Sequence, residues 1–316
     1  MDVSIVIVNM NKPDVLRICL DSIRAHTNQV TYETFVVAYL YNPDSLKLLR
    51  VEYPWVCWLE SNEIRGFSEN NNLALRQASG RYCFVVNDDT EMRMPVIDRL
   101  VTDLDNADDK VAVFSPVVCK PDGNIQYAGR NRFTLWRCIK LYFNCWSDAV
   151  GPYTHGQGIF QSYNIIGASF MIRTHIFRQM GWFDEYYFFC PEDIALSTSL
   201  NQQGYECWVD ADVSIIHYEG MSGQSFSRIK EATQPSADIG TIRFIAQEST
   251  LRKLIMRLAV TLSSILKIIA YTIRIALKRD VEKRRVMRSA LFNVIYYIWT
   301  NNPPKQAFVE CFSAIK

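Results

Sequence analysis

The stretch VSIVIVNMNKPDVLRICL, from Val3 to Leu20, decides the fold. It begins with a continuous apolar run of strand length, and Pro13 then opens a segment whose apolar side chains recur at helical spacing. Further strand-like runs follow, TFVVAYL, WVCWL and RYCFVV, separated by helical patterns at 43–51 and 68–78, with Gly80 closing the second helix. Apolar strands that alternate with helices predict a mainly parallel α/β sheet with helices on its faces.

The composition sets the class of protein. The 316 residues are 49% hydrophobic, which is typical of a folded protein and excludes a disordered one. Nine cysteines are scattered without a CxxC pair, which favours a reducing compartment. The first residues lead directly into a strand, without the basic and apolar regions of a secretory signal, so a cytoplasmic protein is expected.

Polar side chains follow two strands of the predicted sheet. Asn9 and Asn11 come after the first strand, and Asn87, Asp88 and Asp89 come after the fourth. Ligands of such sheets bind at the carboxyl ends of the strands, so we expect these residues to meet at one rim. Closely spaced oxygen ligands fit Mg²⁺ or Mn²⁺, whereas a simple polar turn is the alternative.

The second half adds three candidate residues. Glu192 and Asp193 precede a helical segment, and a strand-like run ends at His217. Acidic residues are favoured at a helix N-terminus, so capping is the alternative for Glu192 and Asp193. A structural role is the alternative for His217.

The ordered motifs of the chain resemble the family 2 glycosyltransferases, and within them the bacterial rhamnosyltransferase-like branch that builds cell-surface polysaccharides. The resemblance covers 3–223 and rests on SIVIVNMNK, GFSENNNLAL, NDDTEM, PDGNIQYAG, GASFMIR, GWFDE, PEDIALS and HYEGMSG. It implies a GT-A fold, with a nucleotide-sugar half at 1–115 and an acceptor half at 116–240. Residues 241–316 are then expected to form a basic amphipathic helical extension.

The resemblance also implies roles for the matching residues. Asp89 is at the DXD-type position, where the last Asp ligates Mn²⁺ or Mg²⁺ at the diphosphate of the donor, and His217 completes the metal or diphosphate contacts. Asp193 is the implied base that takes the proton from the acceptor hydroxyl in an inverting displacement, with Glu192 as the alternative base. Nucleotide-sugar contacts are expected from Asn9, Asn11, Asp44, Arg65, Gly66, Asn71, Asn87 and Asp88.

The sequence departs from the family pattern at Ala38, where members usually carry an Asp that contacts the nucleotide base. Asp44, Glu60 or Asn62 are the candidates to replace it, and the alternative for Asp44 is capping of the helix that follows Pro43. Base recognition is therefore an open question at this point.

Further contacts are predicted around this core. Arg65 is expected to place its cation near the phosphates, with Gly66 allowing close backbone approach, and a solvated arginine is the alternative. Trp182 and Phe183 are expected on the acceptor side, while most other aromatic residues in 133–189 are expected to pack the core. A loop that closes over the donor is expected at His155, Gly156 and Gly158.

The last third of the chain has a different character. Residues 243–288 contain twelve basic and three acidic residues, a net charge of +9. At about 100° per residue, one helical face is apolar and the other basic. The apolar face contains Leu251, Leu254, Ile255, Leu258, Leu262, Ile265, Leu266, Ile269, Ile273 and Leu277. The basic face contains Arg252, Lys253, Arg257, Lys267, Arg274 and Lys278.

This pattern favours a helix lying on an anionic membrane over one that spans it. A helix that packs its apolar face on the catalytic domain or in a homodimer is the alternative. A second interfacial helix is expected at 290–299, and nucleic acid is not expected as a partner because no recognition module accompanies the basic face.

The expected function is metal-dependent, inverting transfer of a sugar from a nucleotide-diphosphate donor to a glycan or lipid-linked acceptor. The expected place is the inner face of the cytoplasmic membrane, as a peripheral protein. A non-catalytic binding subunit with the same fold is the alternative suggested by Ala38. A Rossmann dehydrogenase or methyltransferase is disfavoured because NMNKPD supplies no glycine-rich turn after the first strand.

Overall fold

The computed structural model describes residues 1–145, 157–218 and 228–315. His155 and Gly156 of the expected closing loop lie outside the described residues. Contacts divide the described chain into two units. The first contains residues 1–132, 157–184 and 192–218, and the second contains residues 133–145, 185–191 and 228–315.

The described residues of the first unit form a ten-stranded sheet in the order β3-β2-β1-β4-β9-β6-β10-β5, with β7 on β6 and β8 on β10. Strands β1 to β4 are parallel to one another, and β9 runs antiparallel between β4 and β6. The strands are β1 (Val3–Asn9), β2 (Tyr32–Tyr39), β3 (Val56–Ser61), β4 (Tyr82–Val86), β5 (Thr90–Met92), β6 (Val111–Cys119), β7 (Ile125–Tyr127), β8 (Ile159–Ser162), β9 (Ser169–Arg173) and β10 (Glu206–His217).

Helices follow most strands of the first unit and make up most of the second. In chain order they are α1 (Pro13–His26), α2 (Pro43–Glu52), α3 (Phe67–Leu75), α4 (Val96–Asn106), α5 (Leu135–Tyr142), α6 (Thr174–Gln179), α7 (Glu192–Gln202), α8 (Lys230–Ala246), α9 (Thr250–Ala276), α10 (Val281–Tyr297) and α11 (Pro304–Ile315). The predicted mainly parallel α/β sheet and the C-terminal helices are confirmed.

Gly80 has a different role from the one expected. Helix α3 ends at Leu75, so Gly80 does not close it. A Cβ on Gly80 would lie 2.5 Å from the backbone nitrogen of Ser4, and the Gly80 N–H donates to Ser4 Oγ at 2.9 Å. Gly80 therefore allows two backbone segments to approach at the start of β1 and β4.

The boundary of the second unit also differs from the expected position at 241. Helix α8 belongs to this unit, as does α5, which lies far upstream in the sequence. Buried positions of α8 include Glu231, Ser236 and Asp238 as well as Pro235. A helix with polar groups on its buried face carries no clear apolar periodicity, so the sequence pattern did not indicate it.

Two buried carboxyl groups meet behind the sheet. Asp210 of β10 is fully buried and Asp103 of α4 is nearly so, and Arg99 Nε lies 2.8 Å from Asp210 Oδ2 and 3.1 Å from Asp103 Oδ1. Burial, together with the hydrogen bond to Asp210, raises the pKa of Asp103 to about 7. Asp103 therefore keeps its proton to near neutral pH, beside Asp210 and one guanidinium.

This pair predicts a pH-dependent stability. Because the pKa of Asp103 is higher in the folded than in the unfolded chain, the folded state holds more protons between about pH 4 and pH 7. Its contribution is greatest below pH 4 and is lost as the pH rises through 7. Asp103→Asn removes the titration, so the variant should gain about 1–2 kcal/mol over the wild type between pH 5 and pH 8.

Urea unfolding of both proteins at several pH values measures this difference. An equal pH dependence in wild type and variant would contradict the raised pKa of Asp103. The matched control is Asp109→Asn, at an exposed position just after the end of α4, and its pH dependence of stability should equal that of the wild type.

Candidate active site

The ends of β1 and β4 are joined by side chains at one rim. Asn9 Nδ2 donates to Asp88 Oδ2 at 2.5 Å, and Tyr41 Oη donates to Asn9 Oδ1 at 2.5 Å. Burial raises the pKa of Tyr41, so its hydroxyl keeps the proton that it donates. Asn9 and Asp88 therefore fix the loop that follows β4, and Tyr41 is a participant that the sequence analysis missed.

Asp89 and His217 also meet at this rim. Strand β5 begins directly after Asp89 and pairs with the end of β10, where His217 lies opposite Thr90. The backbone N–H of Tyr218 donates to the carbonyl of Asp89 at 2.9 Å. As a result His217 Nε2 lies 3.2 Å from Asp89 Oδ1, and both side chains are largely buried.

Gln126 of β7 holds the other side of the imidazole. Its Oε1 lies 3.0 Å from His217 Nδ1. Since a carbonyl oxygen only accepts hydrogen bonds, Nδ1 is the donor in this contact, and Nε2 is the ring nitrogen that faces Asp89. Metal-binding histidines are commonly oriented in this way. The sequence analysis quoted the motif PDGNIQYAG but assigned no role to Gln126.

The donor set at Asp89 and His217 fits a divalent cation. Neighbouring ligands of an octahedral ion with bonds of about 2.1 Å lie roughly 3 Å apart, close to the 3.2 Å between Asp89 Oδ1 and His217 Nε2. One carboxylate and one imidazole suit Mn²⁺ or Mg²⁺. Within the described residues there is no group of three or more His, Cys, Asp and Glu, so diphosphate oxygens and water would supply the remaining ligands.

A partly buried carboxylate lies at the start of α7. Asp193 Oδ2 accepts from Arg130 Nη1 at 2.8 Å and from the Gly167 N–H at 3.0 Å, while Oδ1 accepts from the Ile194 N–H at 2.8 Å. Two donors saturate Oδ2 and fix the orientation of the carboxylate. Glu192, the first residue of α7, is buried beside it. Arg130 and Gly167 were not singled out by the sequence.

The turn before β9 connects the two carboxylate sites. The Asn87 N–H donates to the carbonyl of Ala168 at 2.9 Å, and the Gly167 N–H donates to Asp193 at 3.0 Å. Two consecutive residues thus hold the loop with Asp89 on one side and the carboxylate of Asp193 on the other. The structure brings these predicted residues together within one hydrogen-bonded segment.

The loop after β1 places Asn11 and Asp44 near each other. Asn11 has a left-handed backbone with φ 51°, and its Oδ1 accepts from the Asn42 N–H at 3.1 Å. Asn42 is the cap of α2, since its Oδ1 accepts from the N–H groups of Asp44 and Ser45. The alternative that Asp44 itself caps this helix is therefore wrong. Asp44 lies exposed in the first turn, and its contact with the nucleotide stays a prediction.

Three further residues that are predicted to contact the sugar-nucleotide donor lie just before α3 or within it. Arg65 Nη2 lies 2.9 Å from Glu63 Oε2, so the alternative of a merely solvated cation does not describe it. Gly66 is the N-cap of α3, and its N–H donates to Glu69 Oε2 at 3.0 Å. Asn71 is buried and donates to a carbonyl of its own helix. Contact of these residues with a donor stays a prediction.

The two residues assigned to the acceptor differ in exposure. Phe183 is 2% exposed, and its ring lies at 5.2–6.1 Å from those of Phe67, Phe170 and Phe177. A ring enclosed in this way packs the core, so sugar stacking by Phe183 is corrected to a core role. Trp182 is partly exposed beside Arg178, and its contact with an acceptor stays a prediction.

Comparison with protein families decides the identity of the fold. Residues 4–180, more than half of the chain, match the model of glycosyl transferase family 2. The chain belongs to this family. It is a glycosyltransferase with the GT-A fold, and the fold and family expected from the resemblance are confirmed.

Individual relatives are distant. The glycosyltransferase is 26% identical over 239 residues to the O-antigen biosynthesis protein RfbC of Myxococcus xanthus, covering 70% of this chain and 17% of that protein. The chain thus spans about a sixth of the length of this relative.

Two solved structures share the fold. A mannosyltransferase from Pyrobaculum calidifontis, in complex with GDP-Man and Mn²⁺, matches with TM-score 0.54 and 14% identity over 95% of this chain and 88% of that one. GalNAc-T7 with UDP, GalNAc and Mn²⁺ matches with TM-score 0.56 and 15% identity over 78% of this chain and 54% of that one.

Gly167 supplies a direct test of the turn before β9. A Cβ at Gly167 would lie 3.3 Å from Asp193 Cβ, tighter than most Cβ contacts, and would touch Asp193 Oδ2 at 3.4 Å. Gly167→Ala should therefore displace the carboxylate and lower kcat for sugar transfer about tenfold or more, with little change in the KM for the donor.

Gly181→Ala is not a suitable control, because φ at Gly181 is 80° and the alanine would be strained. Ser169→Ala lies two residues further along the chain and adds no atom, so it should keep kcat within about twofold. Equal kcat values for Gly167→Ala and wild type would contradict the role of this turn.

Proposed function

We propose that this glycosyltransferase moves a sugar from a nucleoside-diphosphate donor to a hydroxyl of a glycan or lipid-linked acceptor, with a divalent metal and inversion of the anomeric centre. The observation that carries the proposal is the pairing of Asp89 with His217, joined through Gly167 and Ala168 to Asp193. The name of the Myxococcus relative, an O-antigen biosynthesis protein, supports a role in the synthesis of a cell-surface polysaccharide.

Asp89 and His217 would hold Mn²⁺ or Mg²⁺ at the diphosphate of the donor. Bound there, the cation would stabilise the negative charge that develops on the departing nucleoside diphosphate. Gln126 keeps His217 in the tautomer that leaves Nε2 as a ligand. Asn9 and Asp88 hold the loop in place, so the ligand positions are set before the donor binds. Both structural relatives contain Mn²⁺ and a nucleotide, which supports this choice.

Asp193 would act as the base toward the acceptor hydroxyl. Arg130 and Gly167 saturate Oδ2, so Oδ1 retains the capacity to accept a hydrogen bond from the hydroxyl. A free alkoxide does not form near pH 7, and a carboxylate in reach takes the proton as the new bond forms. Attack from the face opposite the leaving group inverts the anomeric carbon.

Recognition of the nucleotide base requires another residue than Ala38. Ala38 is fully buried in β2, opposite Asn9 in the register of β1. Glu60 of β3 is the partner of Ala38 in the sheet register, but its carboxylate forms an ion pair with Arg50 at 2.8 Å. Asp44 is exposed at the start of α2 and has a carboxylate available at this rim. We therefore favour Asp44 for the base.

The metal assignment predicts a loss of cation-dependent binding. Asp89→Asn should lower the affinity for Mn²⁺ in the presence of a nucleoside diphosphate by about 100-fold, and transfer should fall at least as much, because a neutral amide is a weak ligand. Titration calorimetry with Mn²⁺ and UDP or GDP measures the first quantity without any turnover.

Asp109→Asn, at an exposed position away from the rim, is the matched control and should bind as the wild type does. Unchanged Mn²⁺-dependent binding in Asp89→Asn would rule out the proposed ligand. Metal-dependent donor binding without transfer or hydrolysis of any sugar nucleotide would instead support a binding subunit.

The base assignment separates two neighbouring acids. Asp193→Asn removes the proton acceptor while keeping the shape, so kcat should fall by about 10²- to 10⁴-fold and Mn²⁺-dependent nucleotide binding should persist. Glu192→Gln is the comparison, and we expect less than about a tenfold loss. If Glu192→Gln has the larger effect on kcat, the base is Glu192 and Asp193 is a positioning residue.

A further inference from the structure

Helix α9 of the second unit turns a long apolar surface outward. We call this surface the α9 stripe. Each of its nine side chains is between 43 and 68% exposed. The members are Leu251, Leu254, Leu258, Leu262, Ile265, Leu266, Ile269, Ile273 and Leu277. They are nine of the ten residues that the sequence pattern assigns to one face. The stripe runs the length of α9, and none of the residues that the structure describes covers it.

The inward face of α9 is more polar than the stripe. Its buried residues are Met256, Val260, Ser263 and Ser264. Ser263 Oγ donates to the carbonyl of Tyr142 at 2.7 Å, and Arg257 Nη2 donates to the carbonyl of Thr300 at 3.1 Å. A surface helix of a soluble protein usually turns its apolar face toward the core and its polar face toward water. Helix α9 instead exposes a long apolar stripe, which is favourable only if something apolar covers it.

The borders of the α9 stripe have the chemistry of a membrane interface. On the α10 side, Arg288 Nη1 lies 3.4 Å from Thr272 Oγ1, and Trp299 Nε1 donates to Thr261 Oγ1 at 3.0 Å. Phe292 and Tyr296 of α10 are exposed nearby. Tryptophan, tyrosine and arginine are the side chains that place an apolar body in lipid and a polar tip among headgroups.

Charge identifies the kind of surface that covers the stripe. The segment 243–288 has a net charge of +9, so it attracts anionic headgroups while the stripe enters the acyl boundary. A second copy of the chain is a poorer fit, because pairing two stripes brings two strongly basic segments together. The occupant with matching chemistry on both counts is an anionic lipid bilayer.

We propose that α9 lies in the plane of an anionic membrane, with the α9 stripe inserted and the inward face held by the second unit. This inference deepens the proposed function, on which it rests only in taking a lipid-linked acceptor as the reason for membrane contact. It identifies the surface that would tether the glycosyltransferase where such acceptors are found.

A spanning orientation of α9 agrees less well with its neighbours. Among the described residues, α9 is the one helix long and apolar enough to cross a bilayer. Its inward face is packed, however, and Arg284 lies 5.1 Å from the ring of Tyr271 while Arg288 contacts Thr272. Insertion across the bilayer would carry these arginines and Lys267 toward the hydrocarbon, which is unfavourable.

Vesicle binding by the full chain tests this proposal. The protein should float with vesicles of phosphatidylcholine and phosphatidylglycerol, and less with phosphatidylcholine alone. The double variant Leu262→Glu and Ile269→Glu should lower partitioning at least about tenfold, because it places charge in the inserted face. Lys283→Gln with Arg285→Gln should lower binding to the anionic vesicles and reduce its dependence on salt.

The matched control is Leu48→Glu with Val51→Glu, which adds the same two charges at exposed apolar positions of α2 and should bind as the wild type does. Vesicle binding of Leu262→Glu and Ile269→Glu equal to wild type would overturn the proposal. It would also be overturned by a wild-type dimer that this variant converts to monomers without any vesicle binding, or by protein that resists extraction with alkaline carbonate. These readouts do not involve sugar transfer, so their failure leaves the proposed function standing.

Discussion

The arrangement of the candidate site in the first unit depends on β9, which is inserted antiparallel between β4 and β6. The turn that begins β9 presents one backbone carbonyl to the loop after β4 and one backbone N–H to Asp193. Because both are main-chain hydrogen bonds of consecutive residues, the loop that carries Asp89 and the carboxylate of Asp193 are positioned by the same few atoms. The absence of a side chain at Gly167 is what lets the carboxylate of Asp193 lie against the backbone.

The sequence was sufficient for the parts of this arrangement that depend on local pattern. Apolar strands, the polar residues that follow them and the acidic start of α7 were visible as short stretches, and the order of the motifs indicated the family. Pairings between distant segments were not visible. Arg130 and Gln126 act through contacts with Asp193 and His217, which lie far away in the chain. Nothing in the local sequence of an arginine or a glutamine indicates such a partner.

Helix α9 shows a different limit of sequence reasoning. Helical periodicity correctly separated its apolar and basic faces, because that depends only on the helical repeat. The direction in which each face points depends on tertiary packing. Arg257 contacts the carbonyl of Thr300, and Lys267 lies over the ring of Tyr142, both within the second unit. The apolar residues of the α9 stripe face outward. Burial of α8 in this unit was missed because polar buried residues such as Asp238 and Ser236 interrupt the apolar pattern.

The stereochemistry of transfer is the most direct test of the proposed metal-dependent, inverting mechanism. The purified chain is incubated with Mn²⁺ and a panel of nucleoside-diphosphate sugars, and NMR of the anomeric proton follows the first product of transfer or hydrolysis before mutarotation. We expect a metal-dependent product whose anomeric configuration is opposite to that of the donor. In the proposed mechanism, Asp193 directs the attack of the acceptor hydroxyl from the face opposite the diphosphate. A product with retained configuration, or turnover that is unaffected by removing the metal with a chelator, would contradict it.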